Sequence, residues 1–283
     1  MSAPSSPVTP ATDGGPSATL RRRLPLLVCA LLVAALLAVA AWCPLPYSVA
    51  QPGLTADVLG ENKGEPVITI TTADGADGAR QRHGDGKLLL TTIAATPPRA
   101  MVRAVDVLTG WLATDRAVMP HDVVYPVGDS PREIREYNRA TMKESQDAAV
   151  RAALAHLGRS PREVRVELRL RDVGGPSAGL LFALGIVEKL AGDGHGGDLT
   201  GGRVIAGTGT IDAEGRVGPV GGVPLKTQAA RRDGATVFLV PKEECAKAQA
   251  EKPDGLRLVP VTTLRQAVDA LTALRDGGRV PSC

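Results

Sequence analysis

At 283 residues, 43% hydrophobic and 22% charged, the chain has the composition of a globular protein with room for one large domain or two small ones. Aromatic residues make up only 2% of it, so a core packed from Ala, Val, Leu and Ile is expected, with 32 glycines permitting close backbone approach. A net charge of +3, with no long basic stripe and no aromatic platform, sets nucleic acid aside as a partner.

Residues 1–20 are rich in Ser, Pro, Ala, Thr and Gly and are expected to form a disordered tail, which Arg21, Arg22 and Arg23 close at residue 23. Leu24–Leu45 (LPLLVCALLVAALLAVAAWCPL) then runs without a charge. About 20 such residues at ~1.5 Å each span the hydrocarbon core of a bilayer. The arginines on its N-terminal flank put the N-terminus in the cytoplasm and everything from about residue 46 outside it. Trp42 and Tyr47 stand where interfacial aromatics would. A cleaved signal peptide with a site at Ala38-Val39-Ala40 is the competing reading; the apolar run is longer than a usual signal core, which favours an anchor. Bulky Trp42 argues against lipidation at Cys43.

Residues 46–143 read as an extracytoplasmic β/α region. Pro66–Thr72 alternates, Lys87–Ile93 is a second β-prone run, and a Gly/Asp-rich turn over Asp74–Asp85 separates them. Val102–Leu112 looks helical. Ser130-Pro131-Arg132-Glu133 is a capping box opening a long helix to about Leu157. Residues 144–283 read as the chemical domain. A strand over Val164–Leu170 enters the turn Gly174-Gly175-Pro176, and Ser177–Leu190 follows at helical spacing. Val204–Ile211 and Arg216–Val220 flank a hairpin turn at Asp212–Gly215. Pro224–Arg232 is a short helix, Thr236–Val240 and Leu256–Val261 are strands, and Thr262 or Thr263 caps a last helix. Paired strands with interspersed helices predict an α+β fold of mixed sheets, preceded by a single transmembrane helix.

Four cysteines are present, with no CxxC and no Cys/His cluster, so neither a metal nor any other cofactor is expected. Cys29 and Cys43 belong to the apolar segment. Cys245 and Cys283 are the soluble pair, either bridged across a loop of about 40 residues or two free thiols.

Gly175-Pro176-Ser177-Ala178-Gly179 matches G-x-S-x-G, with a strand before it and a helix after. Such a turn exposes a serine hydroxyl and aims helix N-terminal amides at a neighbouring oxyanion. The same residues also make an ordinary turn with a Ser cap. An α/β-hydrolase needs an acid and then a histidine after the serine; only His195 follows, 18 residues on in a Gly-rich loop, so that order fails. His83, His121 and His156 precede the serine and read as loop or surface residues, with no strand pattern around His121 to support a chymotrypsin-like order. A phosphate cradle at the same glycines lacks a lysine or hydroxyl at P-loop spacing. A lysine with a depressed pKa can replace the histidine. Lys189 lies ~18 Å along the serine's own helix, out of reach. Lys226 follows Pro224 in a first helical turn, where the helix dipole and the neighbours Val220, Val223 and Leu225 disfavour its charge; otherwise it is an exposed lysine on a short helix.

Taken together, GGPSAG (Gly174–Gly179), GTGTIDAEGRVGPVGGVPLK (Gly207–Lys226) and ATVFLVPK (Ala235–Lys242) resemble the proteolytic domain of Lon-type serine proteases over about residues 144–275. The resemblance implies that Ser177 attacks the scissile carbonyl and Lys226 takes its proton. It also implies that Thr208 hydrogen-bonds the lysine, and that amides around Gly175, Pro176 and Ser177 form the oxyanion hole. Leu54–Ile70, Gly110–Val127 and Thr200–Gly222 resemble the membrane-anchored, ATPase-lacking branch of Lon-like proteases. Three departures stand out. No G-x-x-x-x-G-K-[ST] occurs. Only Gly158–Glu163 joins the long helix to the strand where that branch holds a PDZ module. Gly174 replaces an acidic residue. The expectation is an ATP-independent serine endopeptidase acting on unstructured segments of secreted or membrane proteins, bound to membrane lipid through residues 24–45. The alternative is a catalytically silent envelope scaffold on the same fold. Lon-type domains commonly form hexameric rings, so a homo-oligomer is implied without its stoichiometry.

Overall fold

The computed structural model describes residues 16–73, 75–79, 84–126, 130–170 and 175–283. His83, Gly174 and residues 1–15 of the expected tail, together with parts of the Asp74–Asp85 turn, lie outside them. The first element, α1 (Pro16–Trp42), begins earlier than the apolar run, at a proline whose fixed φ suits a first helical turn. The expected tail therefore gives way to helix at Pro16, because nothing between Ser17 and Arg23 breaks one. Pro44 disfavours helical φ/ψ at Cys43, and α1 stops at Trp42.

After α1 come β1 (Pro44–Leu45) and β2 (Tyr47–Asp57). A bulge between Pro52 and Thr55 breaks the alternation of β2, which is why sequence periodicity did not mark it as one long strand. The hairpin β3 (Glu61–Asn62) and β4 (Glu65–Pro66) leads to β5 (Ile68–Thr72) and β6 (Lys87–Ala95). Next are β7 (Val102–Arg103), α2 (Ala104–Leu112), β8 (Ala117–Pro120) and α3 (His121–Val124). The long helix α4 (Pro131–His156) starts at Ser130, whose hydroxyl accepts from the Arg132 amide. It is followed by β9 (Val164–Leu168), a 3-10 turn at Pro176–Ala178 and α5 (Gly179–Leu190). The chain ends through β10 (Val204–Gly207), β11 (Thr210–Ile211), β12 (Val217–Gly218), α6 (Val223–Arg232), β13 (Val237–Pro241), α7 (Cys245–Ala250), β14 (Arg257–Val261) and α8 (Leu264–Arg275).

The fold is α+β. Its main sheet runs β14-β13-β10-β6-β2-β8. The first four of these strands are parallel; β2 pairs antiparallel with both β6 and β8. A boundary between residues 143 and 144 would cut α4 and divide this sheet, since β2 and β6 come from the N-terminal region and β10, β13 and β14 from the C-terminal one. β5 pairs with β9 across the same line. The two regions thus share one core, with β6 paired to β2 on one edge and to β10 on the other.

Packing follows the composition. α5 buries ten consecutive residues, Gly179–Glu188, between the sheet and α4. α4 meets it with Ala148, Ala149, Ala152 and Ala153, whose small side chains allow close approach. Both phenylalanines of the chain are fully buried: Phe182 in the core under α4 and α5, Phe238 in a second core beneath α6 and α7.

Candidate active site

The turn that carries Ser177 is built by conformation first. Gly175 adopts φ 96°, ψ 159°, a region open essentially to glycine alone. Pro176 then starts the 3-10 turn, and Ser177 is half-buried within it. Four hydrogen bonds hold the turn from two sides. Ser145 Oγ of α4 donates to the Pro176 carbonyl at 2.9 Å. The Gly209 amide donates to the Ser177 carbonyl at 2.9 Å, and the Leu180 amide donates back to the Gly209 carbonyl at 3.2 Å. Thr208 Oγ1 also donates to the Ser177 carbonyl, at 3.2 Å. Gly179 is wedged beneath: a Cβ there would lie 2.9 Å from both Ser145 Oγ and Ile211 Cγ2.

Thr208 is where the structure departs from the expected strand. Val204–Ile211 does not run straight. β10 stops at Gly207, the Thr208 amide donates to the Leu239 carbonyl of β13, and the chain swings to the serine turn before resuming as β11. The expected hairpin is β11 with β12, paired Thr210↔Gly218 and Ile211↔Val217. A tertiary bond to Ser177 interrupts the run, and periodicity is blind to that.

Lys226 lies in the first turn of α6. Gly222 caps that helix at φ 68°, a left-handed conformation, with Pro224 in the first turn. The Lys226 side chain is only 3% exposed, and its Nζ donates to Thr208 Oγ1 at 3.0 Å. Burial holds its pKa down to about 8, with the Glu244 carboxylate pulling the other way. Glu244 is itself buried, 2.9 Å from Lys247 Nζ. The Thr208 hydroxyl thus accepts from the lysine and donates to the serine's carbonyl, so one hydroxyl bridges the two residues.

Of the residues singled out in the sequence, Gly175, Pro176, Ser177, Thr208 and Lys226 converge here. Cys245 and Cys283 do not. They form a disulfide with Cα atoms 5.3 Å apart, packed on the second core. The other bases are engaged elsewhere. Lys189, at the far end of α5, donates to the Ile68 carbonyl at 3.0 Å. His121 Nδ1 lies 3.1 Å from Ser48 Oγ. His156 closes α4, with burial lowering its pKa. His195 is exposed in its loop. Among the described residues no group of three His, Cys, Asp or Glu could hold a metal ion.

Sequence reasoning missed Ser145 and Glu244. Ser145 did leave a signal, because it falls in the helical series Met142, Ser145, Ala149, Ala152 that faces the core. Glu244 left none, since its burial depends on how α6 and α7 pack.

Residues 139–273 match the Lon protease (S16) C-terminal proteolytic domain, a span that takes in Ser145, Ser177, Thr208, Lys226 and Glu244. Over those residues the chain is similar to a Lon-type proteolytic domain. Among similar proteins, Lon protease 2 of Bacillus subtilis (strain 168) is 28% identical over 151 residues, covering 51% of this chain and 25% of that protein. The Lon protease of Rhizobium meliloti (strain 1021) is 32% identical over 180 residues, 58% of this chain and 22% of the relative. That of Chloroflexus aggregans is 28% identical over 180 residues, 58% and 21% respectively. The chain therefore spans about a fifth to a quarter of the length of these relatives. Similarity to the Lon protease proteolytic domain supports serine protease activity in general.

Proposed function

We propose that this chain is an ATP-independent serine endopeptidase, anchored in a membrane by α1, in which Ser177 is the nucleophile and Lys226 the general base. One observation carries the reading: a buried lysine with a depressed pKa is hydrogen-bonded to Thr208, which in turn bonds the backbone of the motif serine. A neutral amine has one lone pair. With one N–H given to Thr208, the lone pair is left to accept the serine proton.

In this reading Ser177 Oγ adds to the scissile carbonyl carbon while its proton passes to Lys226 Nζ. Backbone N–H groups around Gly175–Ser177, Pro176 itself having none, stabilise the oxyanion. The resulting ammonium returns the proton to the departing amine as the C–N bond breaks, leaving an acyl-serine. Water, deprotonated by the same amine, then releases the carboxylate and restores the hydroxyl.

The lack of a Walker A sequence supports ATP independence. Pro25–Trp42 is long and apolar enough to cross a membrane, and the arginines before it support a cytoplasmic N-terminus with the catalytic domain outside. Substrates in this reading are flexible segments of secreted or membrane proteins.

The test is casein turnover by the full chain in detergent beside Ser177→Ala and Lys226→Ala. Cleavage by the parent alone is expected, with unchanged circular dichroism in all three. Full-rate cleavage by Lys226→Ala would remove the lysine from the mechanism. Silence from a folded parent that also fails to react with a serine-directed covalent probe would favour the scaffold alternative.

A further inference from the structure

α2 turns Val107 and Gly110 inward, and Gly110 lies so near β8 that a Cβ would sit 2.8 Å from Val118 Cγ2. Its outward face is apolar. Val105, Leu108, Trp111 and Leu112 are all exposed, Trp111 by 64% and Leu112 by 87%, at the spacing of one helical stripe. The only charge on the helix, Asp106, is taken up at its own N-terminus, where its carboxylate accepts from the Arg103 amide at 2.9 Å. A nine-residue helix of this kind left in water would expose a contiguous apolar patch of the sort that marks an interaction surface.

The position of α2 says what covers it. α1 ends at Trp42, and β1 follows after a single residue. β1 pairs antiparallel with β7, Pro44 opposite Arg103 and Leu45 opposite Val102, and α2 begins at the very next residue, Ala104. The Arg103 guanidinium stacks over the Trp42 ring, 4.6 Å from its centroid. The start of α2 is therefore clipped to the last turn of the apolar helix, at the depth where tryptophan rings settle in a bilayer.

We propose that α2 is an interfacial helix whose Val105, Leu108, Trp111 and Leu112 insert into the headgroup–acyl boundary of the membrane. The domain is then held against the lipid surface at two points, α1 and α2, instead of swinging on a tether. The proposal rests on reading α1 as the membrane anchor.

Tryptophan depth tests both and tells them apart, because the chain has two tryptophans and one belongs to each helix. The full chain is placed in phosphatidylcholine vesicles as Trp42→Phe, leaving Trp111, and as Trp111→Phe, leaving Trp42. Phenylalanine at residue 42 keeps a ring for Arg103. Emission is read with lipids brominated high on the acyl chain and, separately, with aqueous iodide. Loss of most of the Trp111 emission to bromolipid, with little loss to iodide, is expected. Trp42 quenched by bromolipid while Trp111 yields only to iodide would overturn the proposal and leave the anchor standing. Failure of bromolipid to quench either would overturn both. Trp111 shielded from both quenchers would put protein, such as a second copy of the chain, on this face and overturn the lipid assignment.

Discussion

In the proposed mechanism Lys226 concentrates the chemistry in one side chain. With a pKa of about 8, on the order of a tenth of it is neutral at pH 7. Turnover should therefore rise about tenfold per pH unit through neutrality and level off above pH 8. The Glu244 carboxylate favours the ammonium, so Glu244→Gln should move that rising limb to lower pH. A limb that stays in place would show that Glu244 does not act on the lysine. Stability carries the same signature. Between about 8 and the ordinary lysine value of 10.5 the unfolded chain binds a proton that the native state does not, so stability should rise with pH across that window. The lysine was legible from its place after Gly222-Val223-Pro224. Its burial and its threonine partner came from the fold.

At the scale of elements, the serine depends on a turn that only a particular backbone can make. Gly175→Ala forces a side chain into φ 96°, ψ 159°, costing about 1–3 kcal/mol and displacing the serine. A lowered melting temperature with most casein turnover lost is expected; an alanine variant that melts and cuts like the parent would show that the turn tolerates another conformation. Local signals did well where an element forms by itself. α5, α4 with its Ser130 cap, and α8 with Thr263 accepting from Gln266 were all readable from spacing and caps. They did poorly where a partner reshapes the chain. β2 is bent by its bulge, and the β10–β11 run is broken at Thr208 and Gly209 by bonds to β13 and to the serine turn.

Over the whole molecule, a single mixed sheet joins residues 46–143 to residues 144–283. The disulfide closes the molecule from the other end, tying α7 to the last residue, 38 positions on. Closing a loop of that length stabilises by about 3–4 kcal/mol in the chain-entropy view. Reduction should lower the denaturant midpoint accordingly. Before reduction only Cys29 and Cys43 should label in detergent, and all four cysteines afterwards. Labelling of Cys245 or Cys283 without reductant would mean the bridge is not formed.

The sequence by itself determined the class of chemistry, the α+β mixture and the apolar N-terminal helix. Motif spacing, turn residues and hydropathy are local properties, and they survive without knowledge of the partners. Tertiary structure alone decided that Lys226 is buried, that Thr208 bridges it to Ser177, that Ser145 braces the turn and that β2 and β6 complete the main sheet. Each of these depends on groups far apart in the chain desolvating and bonding one another. Such coupling exists only once the core has packed.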